Sequence, residues 1–279
     1  MAGSQASAGS GESVASAGTL DDAVHQQIAD ELMLAERERR MVPLLTRRYA
    51  GMTVDDSYAV QRIWHQRGLD AGRSHAGRKI GLTSKVMQVA TGIAEPDYGA
   101  IFADQVYESG SAVEFDRFSN VRVEVELAFV LGESLEGPDL GIEDVLAATE
   151  YVVPALEILS SRIELEGRTI VDTISDNAAL GAVVVGEKRT DPASVDLPWV
   201  SAVLYRNESI EESGVAAAVL GHPAMGIAWL AGKLAQHGDR LEAGELVLAG
   251  SFTRPMWIER GDAIRADYRD LGVVSCRFV

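Results

Sequence analysis

From about residue 77 to the C-terminus, the chain is a series of short strand-like segments that do not alternate regularly with helices. They are rich in Val, Ile and Leu and are separated by Gly, Asp or Pro turns. A doubly wound nucleotide-binding fold would need that alternation, and neither GxGxxG nor GxxxxGKS occurs. The pattern favours an α+β protein built on a largely non-parallel sheet or roll. The segments are GRKIGL, AIFADQVYES, VRVEVELAFVLG, YVVPALEIL, GAVVVGE, WVSAVLYRN, ELVLAGSF and VVSCRFV.

The preceding part of the chain is predicted to be helical. Apolar residues recur at helical spacing from about residue 20, and a second helix is predicted near 54–70 with Thr53 as its N-cap. Residues 1–18 are mostly Ala, Gly and Ser, which predicts a disordered tail. The expected division is the tail, an N-terminal helical lobe over 19–95 and a catalytic β-rich domain over 96–279. Further helices are predicted near 84–91, 142–150, 175–180 and 223–236.

Composition argues against several classes of function. A net charge of −17 disfavours a nucleic-acid partner, and no apolar run is long enough to span a bilayer. No two of the 5 histidines have the spacing of metal ligands, and no serine lies in a GxSxG motif, which disfavours zinc and serine hydrolases. The single cysteine, Cys276, indicates a reducing cytoplasm and is predicted to be a small core residue rather than a nucleophile.

Three glutamates stand where apolar residues are expected. In RVEVELAFVLG, strand alternation puts Glu124 and Glu126 on one face and the valines on the other. The next strand, VVPALEIL, carries Glu157 between Leu156 and Ile158. An exposed polar face on an edge strand would explain the first pair. Buried carboxylates, however, need a partner, and three on adjacent strands would suit a hard divalent cation.

Other polar residues allow two interpretations each. Lys79 begins an apolar strand and is either a surface lysine or a group that relays protons near a carboxylate. Asp97 is either a turn residue after proline or a site acid. The run Gly250-Ser-Phe-Thr-Arg-Pro255 either cradles a carboxylate or forms a plain turn, and the acidic residues of VDTISDNAA either cap a helix or support a site.

The same segments resemble a known family. From about residue 25 to the end, the chain is similar to the 2-oxo-4-pentenoate hydratase family of the fumarylacetoacetate hydrolase-like superfamily. The segments that carry the resemblance are KIGLTSKVMQ (79–88), EPDYGAIF (95–102), VEVELAFVLG (123–132), PALEI (154–158), DTISDNAA (172–179), GVAAAVLGHPAMGIAWLAGKLA (214–235) and LVLAGSFTRP (246–255).

The resemblance implies specific roles and a specific fold. It implies a mixed β-roll or distorted barrel core, an N-terminal α/β part, and Mg²⁺ or Mn²⁺ as the cofactor. It also implies a ring-like homo-oligomer, a pentamer or a decamer made of two pentamers. The implied metal ligands are Glu124, Glu126 and Glu157, the implied catalytic residues are Lys79 and Asp97, and the implied substrate-binding residues are Leu82, Ser84, Ser251 and Thr253.

The implied reaction is the addition of water to an unsaturated 2-oxo acid, giving a 4-hydroxy-2-oxo acid. The GSFTRP segment (250–255) and the terminal SCRFV resemble those of members that act on 2-oxo-hept-4-ene-1,7-dioate in the homoprotocatechuate pathway. The second carboxylate of that substrate needs a cation, for which Arg254 and Arg162 are candidates. The loop between Arg162 and Asp172 is short for the family, so the substrate could differ. The alternatives are a hydratase of 2-hydroxypenta-2,4-dienoate, a 4-oxalocrotonate-type decarboxylase and a non-catalytic partner of such enzymes.

Overall fold

The computed structural model describes residues 19–83 and 95–279. The predicted tail over 1–18, the predicted helix near 84–91 and the candidate Ser84 lie outside these residues. The helices are α1 (Asp22–Glu38), α2 (Leu45–Arg48), α3 (Val54–Asp70), α4 (Ile142–Ala148), α5 (Ile170–Ser175) and α6 (Pro223–Ala235). The strands are β1 (His75–Gly81), β2 (Asp97–Phe102), β3 (Val106–Glu108), β4 (Ser111–Val113), β5 (Arg122–Leu131), β6 (Thr149–Leu159), β7 (Leu180–Val185), β8 (Ser201–Arg206), β9 (Ser209–Val215), β10 (Leu246–Ser251), β11 (Met256–Trp257), β12 (Ala263–Asp267) and β13 (Val273–Phe278).

Two long helices, α1 and α3, form the N-terminal part. α3 begins at a capping box in which Thr53 and Asp56 each bond the other's backbone N–H, which confirms Thr53 as the N-cap. The buried Asp56 carboxylate also accepts hydrogen bonds from Leu20 N and pairs with the His25 ring at 2.9 Å. These contacts tie the start of α1 to the start of α3. The helical core includes Ile163 from the main body, and the expected division into a lobe and a body stays a prediction.

The main body contains two mixed sheets. The larger sheet follows the order β2-β1-β10-β5-β6-β7-β3, and β11 also pairs with β5. The smaller sheet follows the order β4-β13-β12-β8-β9. The pairs β1/β10, β3/β7 and β4/β13 are parallel, and the other neighbours are antiparallel. The sheets and their flanking helices confirm the predicted α+β fold with a non-parallel core.

The two faces of β5 differ in chemistry. Val123, Val125 and Leu127 belong to the main hydrophobic core, which also includes residues of the smaller sheet and of α6. Because side chains alternate along a strand, Glu124 and Glu126 point to the opposite face of the larger sheet. The strand therefore keeps its carboxylates away from the main core while its valines anchor it there. Cys276 lies in that core as predicted, and burial raises the pKa of its thiol to about 12.

The helices near 142–150 and 223–236 form as α4 and α6, but the region near 175–180 contains only a short 3₁₀ turn, Asn177–Ala179, and no α-helix beyond Ser175. α5 ends at Ser175, and Asn177, Ala178 and Ala179 have left-handed φ angles of 47°, 52° and 59°. The Asn177 side chain bonds both the N–H and the carbonyl of Ala100, at 2.8 and 2.9 Å, which turns the chain toward β2. Over the described ranges, no helix combines the length and apolarity needed to cross a membrane.

A tyrosine from the smaller sheet supports the two strands that carry the glutamates. Tyr268 follows β12 and is 2% exposed. Its hydroxyl hydrogen bonds the backbone carbonyls of Glu126 and Ala155, at 2.6 and 2.9 Å, which lie opposite each other on β5 and β6. Burial raises the pKa of this hydroxyl well above its usual value, so it remains a donor. The contact fixes the strands from the side of the main core.

Tyr268→Phe removes only this hydroxyl and leaves two buried carbonyls without their donor. We expect the free energy of unfolding to fall by about 1–3 kcal/mol in urea titrations, the usual range for an unsatisfied buried group. The matched control is Tyr205→Phe on β8, whose hydroxyl makes no hydrogen bond to the residues that the structure describes. Equal losses in both variants would contradict this role of Tyr268.

Candidate metal centre and active site

Three glutamates meet on β5 and β6. Glu124 and Glu157 lie directly opposite each other in the register of these strands, and Glu126 is the next residue along the same face of β5. One carboxylate oxygen from each residue lies within 4.8 Å of the other two. Glu126 and Glu157 are each 1% exposed, and Glu124 is half-buried. The structure therefore brings together all three residues predicted as metal ligands.

Close packing of these carboxylates makes their charged forms unfavourable. Burial and then the neighbouring Glu157 charge raise the pKa of Glu124 to about 8. The same two causes raise the pKa of Glu126 well above its usual value. A cluster of this kind holds either protons or a cation at neutral pH. The electrostatics thus favour a bound positive ion whenever the glutamates are ionised.

Some carboxylate oxygens of the cluster accept no hydrogen bond from the described residues and could therefore coordinate such an ion. Neither carboxylate oxygen of the buried Glu157 has a hydrogen-bond partner among residues 19–83 and 95–279. Lys79 Nζ lies 3.1 Å from Glu157 Oε1 as an ion pair, without the alignment of a hydrogen bond. Glu126 Oε2 accepts a bond of 2.9 Å from the backbone N–H of Gly250. Carboxylate oxygens alone are ligands for hard divalent ions such as Mg²⁺ or Ca²⁺, so the residues present fit a metal.

Lys79 and Asp97 lie beside this cluster on β1 and β2. Asp97 pairs with Gly81 in the strand register, two residues beyond Lys79 on β1. Burial opposes the charge of Lys79, but Glu157 and then Asp97 outweigh it and raise the pKa of the ammonium. Burial raises the pKa of Asp97, although Lys79 counteracts part of this effect. A side chain at Gly81 would overlap the Asp97 carboxylate, so glycine is needed there.

A cavity of about 260 Å³ opens over these residues. Leu82, Ser251 and Thr253 line it, as the resemblance implies. Thr253 Oγ1 accepts a bond from Val125 N at 3.1 Å, and Ser251 Oγ bonds Thr253 O at 2.9 Å, so the strand end is fixed. Leu82 has a left-handed φ of 57°, a strained conformation of the kind that clusters at functional sites.

The two arginines expected to bind a second carboxylate lie elsewhere. The side chain of Arg254 is 79% exposed and pairs with Glu212, and it does not line the cavity. Its guanidinium donates to Glu212 on β9, the edge strand of the smaller sheet. Arg162 is buried against Asp176 and borders a separate cavity of about 310 Å³.

Sequence reasoning did not identify two other arginines that line the cavity, Arg122 and Arg168. Arg122 precedes Glu124 by two residues, so the same strand alternation could have placed it on the site face. Arg168 lies in the loop before α5, where no periodic pattern indicates its direction. Burial and then the charge of Arg168 lower the pKa of Arg122.

The raised pKa of Glu124 predicts a pH effect in metal-free protein. A carboxyl group whose folded pKa is raised stabilises the fold below its unfolded pKa, and this contribution is lost as the pH rises through the folded value. For Glu124 the loss spans the range from its ordinary value of 4.5 to about 8. We expect the unfolding midpoint of chelator-treated protein to fall across this range, and added Mg²⁺ to restore more stability at its upper end.

Glu124→Gln is the matched variant for this measurement, because it keeps the shape of the side chain and removes its titration. The difference in midpoint between wild type and variant should change across the same pH range. An identical pH profile in the two proteins would contradict the shifted pKa of Glu124.

Comparisons with known proteins identify relatives that match most of this chain. Residues 77–279 match the family model described as fumarylacetoacetate (FAA) hydrolase C-terminal. The chain is 48% identical over 266 residues to 2-oxo-hept-4-ene-1,7-dioate hydratase of Escherichia coli, covering 93% of this chain and 100% of the relative. It is 37% identical over 253 residues to 2-keto-4-pentenoate hydratase of Paraburkholderia xenovorans (strain LB400), covering 91% and 94%.

A solved structure matches over nearly the whole length. The 4-oxalocrotonate decarboxylase from Pseudomonas putida G7, complexed with magnesium and adipate, superposes with a TM-score of 0.91. It shares 31% sequence identity, and the match covers 94% of this chain and 99% of that one. The chain belongs to the fumarylacetoacetate hydrolase family.

Proposed function

We propose that this protein is a divalent-metal-dependent hydratase that adds water to 2-oxo-hept-4-ene-1,7-dioate or a closely related 2-hydroxy-alkadienoate. The observation that carries the proposal is the buried Glu124–Glu126–Glu157 cluster with Lys79 and Asp97 beside it. The relative with 48% identity is named for hydration of this seven-carbon dicarboxylate. A shorter 2-hydroxypenta-2,4-dienoate is the alternative substrate, in line with the relative of 37% identity.

Glu124, Glu126 and Glu157 would hold the ion, which is Mg²⁺ or Mn²⁺ in this proposal. Support for Mg²⁺ comes from the magnesium complex of the decarboxylase with the same fold. When bound, the ion supplies Lewis-acid polarisation of an oxygen at the acid end of the substrate. Ser251 and Thr253, with the backbone near Leu82, would orient that end, and Ser84 would join them from outside the described residues.

Lys79 and Asp97 would handle charge and protons. Because the pKa of Lys79 is raised, its ammonium stays protonated and can stabilise negative charge that develops on the substrate. Because burial raises the pKa of Asp97, its carboxyl group can carry a proton and exchange it with carbon. Asp97 would take a proton from C3 and return it to C5, which moves the double bond into conjugation with the 2-oxo group. Water then adds its hydroxyl at C4 and its proton at C3.

We also propose how the enzyme assembles, where it works and which pathway it serves. We infer a homo-oligomer, a pentamer or a decamer, that works in the cytoplasm on a small-molecule 2-oxo acid in aromatic catabolism by the homoprotocatechuate pathway. The relatives named as hydratases of 2-oxo-hept-4-ene-1,7-dioate and of 2-hydroxyhexa-2,4-dienoate support the substrate class in this inference. We also retain the division into a helical lobe over 19–95 and a catalytic domain over 96–279.

A second candidate function is decarboxylation of a 4-oxalocrotonate-type substrate. It is favoured by the superposition on a decarboxylase and by 33% identity over 252 residues to the 4-oxalocrotonate decarboxylase of Pseudomonas sp. (strain CF600). The two reactions differ in their products, because a decarboxylase releases CO₂ and a hydratase consumes only water. A CO₂ assay run beside the loss of diene absorbance separates them.

Glu126→Gln tests the metal role, since it removes a ligand charge without changing the volume of the side chain. We expect kcat/KM for hydration to fall by more than about 100-fold, the upper range for losing a group that merely supports a metal ligand. Chelation should abolish turnover, and Mg²⁺ or Mn²⁺ should restore it.

The matched control is Glu150→Gln, an exposed residue of β6, which should keep full activity. Turnover that survives chelation and dialysis would refute the metal-dependent mechanism. A protein that binds the ion but hydrates none of these substrates would instead support a non-catalytic partner.

A further inference from the structure

Arg122 and Arg168 both line the active-site cavity, and both bond one buried hydroxyl, that of Ser161. Arg122 Nη2 donates to Ser161 Oγ at 3.0 Å, and Arg168 Nη1 donates to the same oxygen at 3.2 Å. Both arginines line this cavity together with Glu124 and Glu126 of the carboxylate cluster. Arg122 is held in place by the ring of Trp257, whose centre is 5.4 Å from the guanidinium carbon. The two guanidinium groups share one neutral hydroxyl, so this part of the cavity wall is positively charged.

Among the described residues, no carboxylate fully neutralises the charge of either arginine. In the parts of the chain that the structure describes, Arg122 forms no salt bridge. Among residues 19–83 and 95–279, the carboxylate oxygen that pairs with Arg168 belongs to Asp176, at 3.8 Å. Asp176 is already engaged by Arg162, through its backbone N–H and its guanidinium. Two adjacent cations with so little compensation repel each other, so an anion between them would be favourable.

The distance from the carboxylate cluster fits a chain of seven carbons. Arg122 and Glu124 lie on the same face of β5, two residues apart, which corresponds to roughly 7 Å along a strand. Across the ladder, Arg122 pairs with Leu159 and Glu124 pairs with Glu157. The cavity therefore runs from acidic residues that fit a metal to the two arginines, and the apolar Leu159 lies beside Arg122 at that end. An unsaturated dicarboxylate has the matching order of groups.

We propose that Arg122 and Arg168 bind the second carboxylate of the substrate and select dicarboxylates over monocarboxylates. This inference rests on the proposed hydratase function and adds the specificity-determining residues to it. The planar guanidinium groups can each donate two hydrogen bonds to a carboxylate. Leu165, in the same loop as Arg168, adds apolar surface to the cavity beside the carbon chain.

The experiment compares kcat/KM for 2-oxo-hept-4-ene-1,7-dioate and for 2-hydroxypenta-2,4-dienoate in wild type, Arg168→Gln and Arg122→Gln, all with saturating Mg²⁺. Each variant should lose roughly 10- to 100-fold on the dicarboxylate, mainly through a higher KM, as expected for losing hydrogen bonds to a charged group. Turnover of the monocarboxylate should stay within about threefold of wild type, within the scatter of single contacts. Retained monocarboxylate turnover also shows that each variant folds.

Two further arginine variants serve as controls. Arg240→Gln removes an exposed arginine that pairs with Glu136 and Glu242 and should change neither substrate. Arg254→Gln tests the arginine expected from the sequence. Selective loss of dicarboxylate turnover in Arg254→Gln, or equal losses on both substrates in Arg168→Gln and Arg122→Gln, would overturn the assignment. If wild type turned over neither substrate, the proposed hydratase function itself would fail.

If the variants do not fold, a binding measurement on wild type tests whether the cavity recognises a second carboxylate at all. Adipate should compete with the dicarboxylate substrate at least roughly tenfold better than hexanoate, because only adipate carries a second charged group for the arginines. Equal inhibition by the two acids would overturn the proposal.

Discussion

The register of β5 against β6 is the constraint on which the site depends. It sets Glu124 directly opposite Glu157, and strand alternation adds Glu126 to the same face. A shift by one residue would turn these carboxylates into the main core and the valines of β5 outward. The apolar face of β5 therefore determines where the acids lie. The hydrogen bonds of Tyr268 to both strands reinforce that arrangement from the core side.

The site also includes backbone conformations that are unfavourable on their own. Leu82 and the run from Asn177 to Ala179 have left-handed φ angles, and each such non-glycine residue costs about 1–3 kcal/mol. The bonds from the Asn177 side chain to Ala100 hold the run in place, and Gly99 leaves room for it. Ala178 and Ala179 line the cavity, so the strain shapes its wall. Packing of the rest of the fold compensates for it.

The sequence correctly predicted those features that depend on interactions between residues close together in the chain. Period-two alternation placed Glu124 and Glu126, and the capping signal at Thr53 placed the start of α3. The predicted α-helix near 175–180 does not form, because the tertiary contact of Asn177 with β2 overrides the local helix propensity. The position of Arg254 outside the cavity could not be predicted from the sequence, since an exposed arginine and a pocket arginine have the same local pattern. The direction of Arg254 depends on Glu212, which is distant in sequence.

A dianionic substrate poses an electrostatic problem for this chain, whose net charge is −17. The cavity itself contains acids, so a carboxylate that enters it without compensation would be repelled. The long-range field cannot attract the substrate, and local cations must do so. Lys79 is largely engaged by Glu157, which leaves Arg122 with Arg168 at one end of the cavity and, in the proposed function, a divalent ion at the other. Compensation at two points, rather than at one, is what would let a site in an acidic protein distinguish a dicarboxylate from a monocarboxylate.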